Sequence, residues 1–470
     1  MATTRDTESG EIQCQYDLKV DPLQDDKATE LKICSFTQPH MRSFHLAWIG
    51  FFMAFLAWFS FAPLMPEIKK DIGLTKPQIW TANICSVTST IFFRFLVGPL
   101  CDKIGGRVCL ASILLVGSIP VFLGGFVVNS AADLAIVRFV IGVIGAAFVP
   151  CQYWTQANFA KEVAGTAQAF TGGWGNLGGG VTQFFMVAAY IIVGEQWRVA
   201  FIIPAILVAV IGALIFFAGQ DCPKGRYTDL QKAGQMTTKS PLQVMAQAAS
   251  HIDTWLLFIQ YATCFGIELT INNFAVSYYV DEFGQPLAIA SLVGSLFGLM
   301  NLFARALGGI VSDFANKNLH DLNKSHSLRA RIVTHCSILL YEGLMLIAFS
   351  RTTTFGAAVG VMVLFSIGVQ CAEGTTFSLV PYVDPPVTGA VSGIVGAGGN
   401  TGAMMWGFLF LFGGHTDRDT LMILGIIVML SALVGVLFQF PKFKDADVEK
   451  IKATEMGVTT SQESKTAVAS

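Results

Sequence analysis

Apolar and polar positions along this chain alternate in long blocks rather than at the short periods of a soluble protein. Twelve apolar runs stand out, at about 45–65, 77–101, 108–128, 132–156, 168–193, 198–219, 254–279, 287–311, 331–350, 355–379, 388–413 and 419–440. About 20 residues at a rise of about 1.5 Å each cross a hydrocarbon core of about 30 Å. Inside lipid such a run meets its own backbone hydrogen bonds only as a helix. The pattern predicts an all-α polytopic membrane protein with twelve transmembrane helices. Connections are short, except for a polar stretch from Gln220 to about His251 that divides the runs six and six. Within it, Ser240-Pro241 reads as an N-cap followed by proline at the first helical position. A short interfacial helix is expected to follow.

Composition agrees with the pattern. Of 470 residues 53% are hydrophobic and only 13% charged, about half the charge of a soluble domain. The net charge of −2 says little, because the charges are segregated into loops and tails. The expected organisation is a tail over 1–44, a six-helix bundle over 45–219, a central loop over 220–253, a second six-helix bundle over 254–440 and a tail over 441–470. With the N-terminus inside, loops on the inner side hold eleven lysines and arginines against six outside. Both termini are therefore expected in the cytoplasm. No cysteine falls in an outer loop, so no disulfides are expected, and no spacing suggests a metal site. There is no cofactor loop or nucleophile constellation, so an enzyme is disfavoured, and nothing points to nucleic acid.

The two halves repeat. The second run reads Arg94-x-x-x-Gly98-x-x-x-Asp102 and the eighth Arg305-x-x-x-Gly309-x-x-x-Asp313. The fifth run contains Gly175-Asn176-Leu177-Gly178 and the eleventh Gly399-Asn400-Thr401-Gly402. Two six-span halves with matched signatures at matched ordinal positions argue for a transporter built from parallel repeats.

Arg94 lies eight residues before Asp102, roughly 12 Å from the charged end of its helix and near mid-membrane. Snorkelling to the interface fails at that depth. Acids inside the runs are Glu268, Glu342 and Glu373, and none is repeated between the halves. Two unpaired guanidiniums at mid-depth are costly unless an anion visits them, and the planar fork of arginine matches a planar oxyanion bidentately. The glycines mostly read as close helix packing. Asn176 and Asn400 are amides in lipid that need partners, and with the backbone exposed by neighbouring Gly175 and Gly399 they offer hydrogen bonds to an oxyanion. Phe148, Tyr261 and Phe265 read as packing by default. Gly98, Asp102, Lys103, Gly105 and Arg107 form a charged turn, partly copied by Gly309, Asp313 and Lys317, and are expected to gate the inner face. Arg138, a turn or two from the outer end of the fourth run, leaves open a structural contact, a gating role or substrate binding.

These residues resemble the major facilitator superfamily, and within it the nitrate/nitrite porter family. The superfamily turn matches Gly98, Asp102, Lys103 and Gly105, although Gly106 stands where many members carry a basic residue. The two glycine-rich signatures match "GGWGNLGGG" and "GAGGNTGA", and the paired arginines match Arg94 and Arg305. The segments "QYATCFGIEL" and "GAAFVPCQYW" resemble those of eukaryotic high-affinity members. That likeness carries Tyr261, Phe265 and Phe148 onto substrate-lining positions. The resemblance spans about residues 45 to 440 and implies an alternating-access carrier with nitrate gripped between Arg94 and Arg305. It implies uptake of nitrate, with nitrite as a further substrate, coupled to protons in the plasma membrane, and no cofactor. Glu268 and Glu373 are the candidate proton carriers. Some plant and algal members need a small single-span accessory protein. The alternatives are a nitrate/nitrite or general anion exchanger, and a nitrate sensor that signals through its tails.

Overall fold

The computed structural model describes residues 3–5, 12–14, 16–232, 241–319, 328–384 and 387–440. Twelve helices in it are long and apolar enough to cross a membrane. Spans 1 to 6 are His40–Trp58, Lys76–Cys101, Gly106–Val127, Ala131–Asn158, Val163–Ile192 and Trp197–Ala218. Spans 7 to 12 are Ile252–Phe283, Leu287–Asn318, Arg329–Ser350, Phe355–Tyr382, Thr388–Phe412 and Asp417–Leu437. The first begins at His40 rather than 45 and ends at Trp58, after which a turn leads into a short helix at Met65–Ile72. The expected central-loop helix forms at Pro241–Ala249, while its proposed cap, Ser240, and the tail over 441–470 lie outside the described residues.

Packing repeats between the halves. Span 1 lies along span 5 as span 7 lies along span 11, and span 3 meets span 6 as span 9 meets span 12. Within its most apolar stretch span 7 is 78% buried and span 9 only 33%, which puts the first at the molecular centre and the second at the lipid edge. The halves meet along two seams, span 2 against span 11 and span 5 against span 8. Small residues allow the approach: a Cβ on Gly180 would meet the backbone of Gly298 across the second seam, and one on Gly407 would meet Ile84 across the first.

The face bearing residues 16–39 and the central loop is the inner face here, and the opposite one the outer. Residues 16–39, before span 1, carry structure. Strands Val20–Asp21 and Lys27–Ala28 pair antiparallel, Ala160 N–H donates to the Ala28 carbonyl at 2.9 Å, and Lys224 pairs with Asp25 at 2.7 Å. Leu18 and Ala28 are buried with Phe44, Phe159 and Ala167. The polar composition of this tail hid those few apolar anchors.

Candidate functional site

The middle of the molecule is built on Phe265, in span 7. The guanidinium carbon of Arg94 lies 5.8 Å from its ring centroid and that of Arg305 lies 5.9 Å away. Tyr261, one turn back, stacks on Phe265 at 5.1 Å and meets Phe377 edge-on at 5.3 Å. Phe148 lies 5.2 Å from the Arg94 guanidinium and 6.1 Å from Phe377. The arginines and the three aromatics singled out in the sequence thus form one cluster. Cations on ring faces gain from the quadrupole there.

The two arginines are not equivalent, which corrects the expectation of an unpaired pair. Arg305 is ion-paired with Glu373 of span 10 and stands 3.6 Å from Glu268 of span 7. Asn301 Nδ2 donates to the other oxygen of Glu268 at 2.8 Å. Arg94 has only neutral partners: Nη1 donates to the Gly396 carbonyl at 2.6 Å and Nη2 to Gly145 at 3.4 Å, while Nε has none. Both side chains are buried. A buried cation without a counter-ion is costly, and at Arg94 a small anion would remove that cost.

Each glycine-rich segment faces the arginine of the other half. Gly173 of span 5 packs against Arg305, and Gly396 of span 11 against Arg94. Gly175 and Gly399 do something different from lining: a Cβ on the first would enter the ring of Phe51, and on the second the ring of Phe265. They seat two phenylalanines at equivalent spans, 1 and 7. Phe51 was missed in the sequence, where the repeat itself held the signal. Asn176 is buried with neither amide atom partnered, and Asn400 donates to the Gly396 carbonyl at 3.4 Å with its oxygen unpartnered. Both amides retain capacity for a polar guest.

The charged turn has a different placement. Arg107 pairs at 2.9 Å with Asp221, at the start of the central loop, and also donates to the Phe216 carbonyl of span 6. Asp313 pairs with Arg331 at 2.6 Å within the second bundle. Neither pair bridges the two bundles. Gly105 has φ +89° and would set a Cβ 3.0 Å from Asp221, so glycine is required there. A Cβ on Gly98 or Gly309 would meet nothing within 4 Å. Lys103 lies in the last turn of its helix, and the side chain of Asp102 is outside the described part.

Two six-span bundles closing on a polar, arginine-bearing centre have the architecture of a membrane carrier. Residues 47–407 match the Major Facilitator Superfamily model. The chain is 35% identical to "High-affinity nitrate transporter 2.3" of Oryza sativa subsp. japonica, over 90% of this chain and 82% of that one. It is 38% identical to "Nitrate transporter 2.1" of Chlamydomonas reinhardtii, over 80% and 69%. It is 26% identical to "Nitrate/nitrite transporter NrtP" of a Picosynechococcus strain, over 77% and 83%. The crystal structure of a bacterial homologue of the human lysosomal transporter Spinster superposes with a TM-score of 0.63 at 12% identity, over 85% of this chain and 96% of that one, which speaks for the fold alone. The chain belongs to the nitrate/nitrite porter family of the major facilitator superfamily.

Proposed function

We propose that this protein takes up nitrate, with nitrite as a second substrate, by alternating access of its two bundles to a central site, coupled to protons. On this reading it sits in the plasma membrane with both termini in the cytoplasm. The observation that carries the proposal is the pair of buried guanidiniums flanking Phe265, one of them without a counter-ion. The relatives, nitrate and nitrate/nitrite transporters by name, point to the anion, and the planar forks suit it.

The company Arg305 keeps supports proton coupling. An oxyanion and the carboxylate of Glu373 compete for one guanidinium. A proton taken up by Glu373 neutralises the competitor and hands Arg305 to the anion. When the anion leaves, the pair re-forms and the proton is released. Glu268, anchored by Asn301 at 2.8 Å, stands at the second flank of Arg305 and carries the second proton on this reading.

Labelled nitrate uptake into reconstituted vesicles, with and without an acidic exterior, tests this reading. Accumulation is expected to follow the pH gradient, and nitrite and chlorate are expected to compete better than sulfate or phosphate. A dianion meets extra desolvation and no added positive charge. Equal competition by sulfate would favour a general anion porter, and uptake that depends on internal nitrite would favour exchange.

A further inference from the structure

Five arginines are buried among the described residues: Arg94, Arg107, Arg138, Arg305 and Arg331. Arg107, Arg305 and Arg331 each hold a carboxylate. Arg94 and Arg138 do not. The absence that marks the central site is therefore repeated once, in span 4, toward the outer face.

Arg138 is fully buried. Its Nη2 donates to Asn83 Oδ1 of span 2 at 2.8 Å and to Asn273 Oδ1 of span 7 at 2.5 Å. Its Nη1 reaches the Trp58 carbonyl at 3.4 Å and its Nε has no partner. Every partner is neutral, so one full charge stays uncompensated in a low-dielectric setting, where a lone cation is most costly. The two asparagines also line a cavity of about 40 Å³ between the halves. Trp80 and Phe274 wall it, and its rim carries Lys69 and Lys76. These lysines are held across the halves by Asp281 at 3.5 Å and Asp417 at 3.0 Å. The cavity holds a few water-sized occupants.

We propose that Arg138, Asn83 and Asn273 form a second anion site, an outer station that a small planar monoanion occupies on its way to the central arginines. Arg138 and Asn83 belong to the first half and Asn273 to the second. Parting the halves at the outer face breaks the two lysine pairs, widens the cavity and withdraws the Asn273 oxygen from the guanidinium. The fork then faces the opened vestibule with a free edge, and the freed lysines at the rim draw anions toward it. Bidentate capture by arginine favours a planar oxyanion over a spherical halide. The station rests on the reading of the protein as a nitrate carrier.

Asn83→Asp tests it. The change is nearly isosteric and places a carboxylate against Arg138 from the same half, filling the station without adding a tie between halves. Initial rates of labelled nitrate flux are measured in right-side-out and inside-out vesicles, for wild type and variant. The expected result is an outer KM raised about tenfold or more with the inner KM unchanged. An unchanged outer KM overturns the station. So does an outer KM that rises while the inner KM falls in proportion, because that is the mark of a strengthened outer latch alone. If Asn83→Asp does not reach the membrane, Arg138→Gln, which keeps a donor for the amide oxygens, is held to the same criteria. A wild-type chain that moves no nitrate in either direction defeats the carrier reading itself, and the station with it.

Discussion

Arg94 and Arg305, 211 residues apart in sequence, face one phenyl ring: their guanidinium carbons lie 5.8 and 5.9 Å from the centroid of Phe265. Two like charges are held near one ring in a buried setting, and both nearby carboxylates, Glu373 and Glu268, stand at Arg305. Once Glu373 has taken a proton, an anion between the arginines supplies the counter-charge that Arg94 lacks. Arg305 reaches that state by exchanging a carboxylate for the anion, whereas Arg94 simply gains a partner.

Replacing either arginine by lysine keeps the charge and removes the fork. Both Arg305→Lys and Arg94→Lys are expected to lower nitrate uptake at least tenfold at equal surface abundance, as about 1.4 kcal/mol of lost binding implies. Near-normal affinity in either variant would remove the sandwiched anion from the account.

Glu373→Gln mimics the protonated acid. In the wild type, nitrate binding draws in a proton, so affinity rises as pH falls, by at most about tenfold per unit for one proton. The variant is expected to bind nitrate as the wild type does at acidic pH, with that slope flattened. Binding titrations at several pH values check this. A slope that survives the substitution points the coupling to another group.

Gly399→Ala drives a methyl into Phe265, and Gly175→Ala drives one into Phe51. Overpacking of this kind costs about 1–3 kcal/mol, and at Gly399 the displaced ring is the one both arginines face. Nitrate affinity is expected to fall about tenfold or more in Gly399→Ala. Gly309→Ala, whose methyl meets open space, is expected to keep its affinity. Equal loss in both would show that the close approach is irrelevant to the site.

Asn176 is buried with both amide atoms unpartnered. Truncation to alanine removes an unsatisfied group, so abundance is expected to hold or rise while nitrate binding weakens. Asn400→Ala is expected to weaken binding too, since Asn400 and Arg94 share the Gly396 carbonyl. Surface expression measured beside affinity separates the two effects, and normal affinity in both variants would return these asparagines to helix packing.

The spans were legible in the sequence because lipid imposes one length and one backbone solution, and Arg94 and Arg305 because each stands alone in an apolar run and recurs at a matched position. The partners of Arg305 were not legible. Glu268 and Glu373 come from spans 7 and 10, and no local spacing records that three helices converge. Asn176 and Asn400 carried a signal of type, an amide in lipid, but not of place. Gly175 and Gly399 looked like backbone left open for an anion and proved to be seats for rings. Arg107 and Asp313 read as a gate at the inner face; their partners are Asp221, at the start of the central loop, and Arg331, in the second bundle, and no local spacing recorded either pairing.

The energetics of uptake select the most direct test. Moving one nitrate into a negative interior costs about 2.3 kcal/mol per 100 mV, and a 100-fold accumulation adds about 2.7 kcal/mol. One proton per nitrate cancels the charge and leaves only the pH gradient as driver, whereas two let the membrane potential assist. The measurement is nitrate-evoked current under voltage clamp at acidic external pH, recorded beside labelled uptake. With Glu373 and Glu268 each carrying one proton inward, the account predicts an inward positive current that grows as external pH falls and disappears in Arg305→Lys. Nitrate uptake that is current-free and indifferent to external pH would contradict it and leave exchange as the mechanism.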